Sequence, residues 1–68
     1  MALRKGRCRL PDLLNMNQAE FASKMGVQES TVSRWIRNER EMSFNKAVEA
    51  SRLLNCHAED LYDWIKVD

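Results

Sequence analysis

Apolar residues recur at helical spacing along most of this chain, and short polar clusters cut the pattern into pieces. Pro11 suits a first helical position, and Asp12, Leu13 and Leu14 follow it as a short apolar turn. Asn17 and Glu20 have the spacing of a capping box. Phe21, Ala22 and Met25 then supply one face of a helix that Gly26 closes. The next helix is predicted over 28–37. At about 100° per residue, Glu29, Ser30, Ser33, Arg34 and Arg37 share one arc, while Val32, Trp35 and Ile36 lie opposite. Asn38 is the expected stop, because its short amide tolerates positive φ. Ser43 caps a further helix whose apolar positions are Phe44, Ala47, Val48, Ser51 and Leu54, with Asn55 at its end. A last short helix is predicted over 58–63, with Glu59 and Asp60 at its positive pole.

The two ends read differently. Segments 6–10 and 64–68 are short and alternating, with Ile65 and Val67 on either side of Lys66, and they pair as a small ribbon or stay as tails. The chain therefore divides into a basic leader or strand over 1–10, one helical domain over 11–64, and a tail or strand over 65–68.

Length and charge sharpen this picture. Sixty-eight residues make one small domain. Ordering costs about 1.5 kcal/mol per residue, so a single core of this size leaves little surplus and self-association is expected to matter. The size also argues against an enzyme with a deep cleft. Formal net charge is only +1, but residues 1–46 carry nine basic and five acidic side chains and residues 47–68 carry two and five. Such a gradient suits a molecule that turns one end to a polyanion; the plainer alternative is ordinary solvated faces.

Cys8 and Cys56 match no zinc or redox spacing and read as reduced core residues, a disulfide being the alternative. His57, the sole histidine, reads as a helix cap; a metal site from Cys8, Cys56, His57 and Asp60 is the weaker alternative. No cofactor and no small-molecule ligand is evident. The basic start lacks the apolar stretch of a secretory signal, and no apolar run is long enough for a bilayer, so a cytoplasmic protein without a membrane partner is expected.

The informative block is 18–37. Two helices in a tight turn need a small residue where they cross, a left-handed corner four residues on, and a branched residue to seal the second helix against the first. Ala22, Gly26 and Val32 have those spacings; Trp35 extends the seal, and Phe21, Met25 and Val27 complete the wedge. The segment 17–36, Asn-Gln-Ala-Glu-Phe-Ala-Ser-Lys-Met-Gly-Val-Gln-Glu-Ser-Thr-Val-Ser-Arg-Trp-Ile, resembles the lambda-repressor-like, or Cro/C1-type (XRE), helix-turn-helix family, and the resemblance runs on through 43–54 and 55–64. It implies a compact all-α domain of four to five helices. Two features depart from the family's pattern. Only six residues separate Pro11 from Asn17, so the first helix is either truncated or kinked at Pro11. Asn38 stands where the family usually has the Gly that closes the recognition helix.

The resemblance implies a sequence-specific regulator of transcription, bacterial or phage-derived, that binds double-stranded DNA as a homodimer and represses by occlusion. Its helix 28–37 would enter the major groove, with Gln28, Glu29, Ser30 and Arg34 reading base edges. Gln18, Thr31, Ser33, Arg37, Asn38 and Arg40 would hold phosphates. Arg4, Lys5, Arg7 and Arg9 would act as an N-terminal arm toward a groove or a phosphate patch, or serve only as solubilising charge. Leu61, Tyr62, Trp64, Ile65 and Val67 offer an apolar patch for the dimer, unless Leu61 and Trp64 simply close the monomer core. The alternative functions are an antitoxin, or a phage-type activator or adaptor that binds a protein partner through the same fold.

Overall fold

A computed structural model of the chain describes residues 2–67. Strand β1 (Ala2–Cys8) leads into a single helical turn, α1 (Leu10–Leu13), then α2 (Gln18–Met25), α3 (Glu29–Ile36) and α4 (Phe44–Leu53). A 3-10 turn over Ala58–Leu61 runs directly into strand β2 (Tyr62–Val67). The two strands pair antiparallel, Ala2 opposite Val67 and Lys5 opposite Trp64. The fold is thus four helices with a small two-stranded sheet, and the all-α expectation is corrected to that extent.

Three helices end in the same way. Gly26, Asn38 and Asn55 have φ of 70°, 59° and 57°. In each case two amides past the helix turn back onto its last carbonyls: Gly26 and Val27 onto Ser23 and Ala22, Asn38 and Glu39 onto Trp35 and Arg34, Asn55 and Cys56 onto Arg52 and Ser51. This 6→1, 5→2 pattern satisfies carbonyls that a helix end leaves free. At the other ends, Asn17 Oδ1 accepts from the Glu20 amide at 2.8 Å and Ser43 Oγ from the Lys46 amide at 3.2 Å.

The core gathers one side of every element. Phe21, Leu10, Leu61, Val32 and Cys8 are fully buried, with Ala22, Met25, Trp35 and Tyr62 around them. Among the described residues no buried side-chain nitrogen or oxygen lacks a partner; the hydroxyl of buried Ser51 donates to the Val48 carbonyl at 2.7 Å.

Several expectations are corrected. Of the two readings of the first helix the truncated one is found, but it begins at Leu10, not Pro11, and the residues up to Cys8 form a strand. The strands are Ala2–Cys8 and Tyr62–Val67, each starting earlier in the chain than the expected 6–10 and 64–68, and Asp68 lies outside the described residues. The last helix stops at Leu61, because Tyr62 and Asp63 are drawn into the sheet. Phe44 is 79% exposed and no part of the core. As the first residue of α4 it borders an open cavity, whereas the expected Ser51 and Leu54 are buried together with Ala50, and Ala47 and Leu53 pack against them.

Candidate nucleic-acid interface

Helices α2 and α3 pack on each other, and the Ala22 methyl group on α2 is buried. A larger side chain there would push the helix axes apart. The left-handed Gly26 makes the corner, and buried Val32 and Trp35 seal α3 onto α2. Sealing those residues fixes which side of α3 faces outward. Gln28, Glu29, Ser30, Arg34 and Arg37 are all exposed, or nearly so, and Thr31 and Ser33 are half-buried at the edge of the row. Eight residues at 1.5 Å rise give an α3 of roughly 12 Å, long enough to present two turns of side chains.

Gln28 is the residue before α3, with extended backbone (φ −78°, ψ 151°), so its side chain and the first amides of the helix lie at the same end. Gln18 opens α2, and its Oε1 accepts a hydrogen bond from Ser33 Oγ at 3.1 Å across the helix pair. Two of the expected phosphate ligands are therefore bonded to each other, and the Gln18 amide nitrogen keeps its donors.

Beyond α3, Arg37 pairs with Glu39 at 3.3 Å, both more than half exposed. Arg40 lines a hollow of about 260 Å³ together with Thr31, Ser43 and Lys46. The Lys46 ammonium is held by the Met25 carbonyl at 3.2 Å and by Glu49 at 3.5 Å.

A tight reversal, a sealed second helix and an exposed polar row on it recur together in one class of protein, and a family model described as helix-turn-helix matches residues 7–61. The chain belongs to the Cro/C1-type helix-turn-helix family. This is a family of DNA-binding regulatory domains. No curated protein matches the chain.

In this helix-turn-helix protein the remaining sequence candidates fall into different settings. Asn38 ends α3, but its side chain is bonded within the fold: Oδ1 accepts from the Cys8 amide at 3.0 Å and Nδ2 donates to the Gly6 carbonyl at 3.2 Å. Residues 2–8 of the leader are strand β1, and three of the expected arm cations face acids. Lys5 meets Glu41 at 3.2 Å, Arg7 meets Asp12 at 2.9 Å and Asp63 at 3.5 Å, and Arg9 reaches Asp63 at 3.8 Å. The Asp12 hydrogen bond and charge raise the Arg7 pKa further above its ordinary range. Of the patch proposed for self-association, Leu61 and Tyr62 are buried in the monomer core and cannot serve a partner. Trp64 and Ile65 remain exposed, at 43% and 42%, with Val67 half-buried. Trp64, Phe44 and Ala47 border an open cavity of about 440 Å³, and the Trp64 indole N–H is held by the Glu59 carbonyl at 2.8 Å.

Among the described residues no group of three His, Cys, Asp and Glu side chains is arranged to hold a metal ion. His57 precedes the 3-10 turn, where the Asp60 carboxylate accepts its backbone N–H at 3.1 Å. Among the described residues no helix is long and apolar enough to cross a membrane. Sequence reading missed what the sheet does to the segment after α3. The signal for it was Asn38 itself, in a position where Gly is conformationally easier.

Proposed function

We propose that this protein is a sequence-specific transcriptional regulator, a repressor, that inserts α3 into the major groove of double-stranded DNA. The observation that carries this reading is the exposed row on α3 opposite the sealed Val32 and Trp35. An α-helix of 10–12 Å diameter matches a major groove about 12 Å wide. Arg34 can make two bonds to guanine O6 and N7, Gln28 can bracket adenine, and Glu29 can accept from cytosine N4, with Ser30 beside them. Gln18, Thr31, Ser33, Arg37 and Arg40 flank that row and suit phosphates. The ion pairs of Lys5, Arg7 and Arg9 favour a structural leader over an arm in a groove.

One such unit reads one half-site, so the functional species is a twofold dimer. The exposed Trp64 and Ile65, with half-buried Val67, supply its apolar surface. The same exposed residues, with Phe44, favour a second reading in which the fold docks on a protein, as an antitoxin or adaptor does.

The deciding experiment is selection from a random duplex library at about 150 mM salt, where weak non-specific binding is suppressed. Enrichment of a twofold motif with half-sites about one helical turn apart is the expected result. Salt-sensitive binding without any motif would overturn the reading and leave the protein-docking alternative.

A further inference from the structure

We propose that Asn38 is a positioning residue for DNA binding, latching the terminal sheet onto the end of α3 and so fixing the segment 37–42 that carries Arg37 and Arg40. The proposal rests on the DNA-binding reading above. Three observations support it.

The first is conformational. Asn38 sits at φ 59°, a region that glycine enters most freely. Asparagine also enters that region, as Asn55 does, but Asn38 differs in that both ends of its side-chain amide are bonded to β1.

The second is the geometry of those bonds. A carbonyl and an N–H two residues apart, Gly6 and Cys8, are what the N–H and C=O of one residue of a neighbouring parallel strand would engage. The Asn38 side-chain amide supplies a donor and an acceptor in place of that residue's. It does so at the irregularity in β1 between Lys5 and Cys8, where three residue steps oppose two between Trp64 and Tyr62. A bulge disrupts the ladder locally, and a side-chain amide is a good substitute there.

The third is that the sheet holds the far end of the same segment too. Lys5 Nζ reaches Glu41 at 3.2 Å, and the buried Tyr62 hydroxyl accepts the Met42 amide at 3.2 Å. The segment is thus fastened at Asn38, Glu41 and Met42, the first two to β1 and the third to β2. Arg37 and Arg40 hang from a splinted backbone, and a cation held in place loses less freedom on meeting a phosphate.

The test compares wild type with Asn38→Gly, which keeps the left-handed helix ending and removes both latch bonds. In the free protein, hydrogen exchange at the Cys8 amide should rise at least tenfold while Val32 and Trp35 keep their protection. On DNA, affinity should fall by a similar factor for every sequence. The slope of log K against log salt should shrink by about 0.9 for each phosphate that is no longer neutralised, and the selected motif should stay the same. Glu41→Gln, which loosens the other end without touching α3, should move the slope in the same direction. A purely structural role would lower the melting temperature and leave the salt slope at the wild-type value, and that result, or unchanged Cys8 exchange, would overturn the proposal. Failure of wild type itself to bind any duplex is a separate outcome that sinks the DNA reading, since the exchange measurement reads the latch without DNA.

Discussion

Ser33 Oγ donates a hydrogen bond to Gln18 Oε1, joining the middle of α3 to the first turn of α2. The bond fixes which way the Gln18 amide faces and leaves its N–H groups for an outside acceptor. In a double-mutant cycle on urea unfolding, Gln18→Ala and Ser33→Ala should show a coupling of about 0.5–1.5 kcal/mol. Additive effects would mean the two side chains act independently.

Arg34 and Arg37 should separate specificity from affinity. Arg34→Ala is expected to cost about 1–3 kcal/mol at the best site and to relax preference at one base pair. Arg37→Ala should weaken all sequences alike and reduce the salt slope by about one. Parallel binding isotherms on the selected site and on a scrambled duplex distinguish the two, and identical profiles would remove the base-reading role of Arg34.

The two glycines make different demands. A Cβ on Gly26 would meet nothing within 4 Å, so Gly26→Ala costs only the left-handed backbone, about 1–2 kcal/mol. A Cβ on Gly6 would lie 3.1 Å from the Asp63 carbonyl oxygen and 3.3 Å from its Cβ. Gly6→Ala therefore requires Asp63 to give way by a few tenths of an ångström, and the expected overpacking cost is about 1–3 kcal/mol. Chemical denaturation gives both costs, and strand amides should exchange faster only in the Gly6 variant.

Burial pushes the Cys8 thiol above its ordinary 9.0 and the Tyr62 phenol above its ordinary 10.0. The unfolded chain ionises at the ordinary values while the folded chain holds both protons, so unfolding releases protons in alkali. Stability from these groups is complete below about pH 9 and falls as pH rises toward their folded values. The urea midpoint should decline above pH 9, and Cys8→Ala should make the first part of that decline shallower. A midpoint independent of pH in this range would show that neither group is held protonated by the fold.

Local chemistry made much of this molecule legible. Asn17, Gly26, Ser43 and Asn55 mark helix ends through their own backbone preferences, and those ends lie where the residues indicate. The spacing of Ala22, Gly26 and Val32 carries the helix-turn-helix because that motif is a local packing problem. Long-range pairing was less accessible. The alternating ends raise a terminal ribbon as one of two readings, but neither segment fixes its bounds or its partners, since strand register depends on two distant segments at once. The same limit hid the Asn38 latch, whose bonds span thirty and thirty-two residues. Phe44 misled because helical periodicity assigns a face without saying where the neighbouring element ends.

The pairing of Ala2 with Val67 closes the backbone into a ring held by hydrogen bonds. A chain that enters the fold leaves it at the same place. A short linker across the two strands, with the cut moved to an exposed turn such as the one at Asn55, would give a circular permutant with the same core. For the same reason the unit could sit as an insertion in a surface loop of a host protein without stretching either flank.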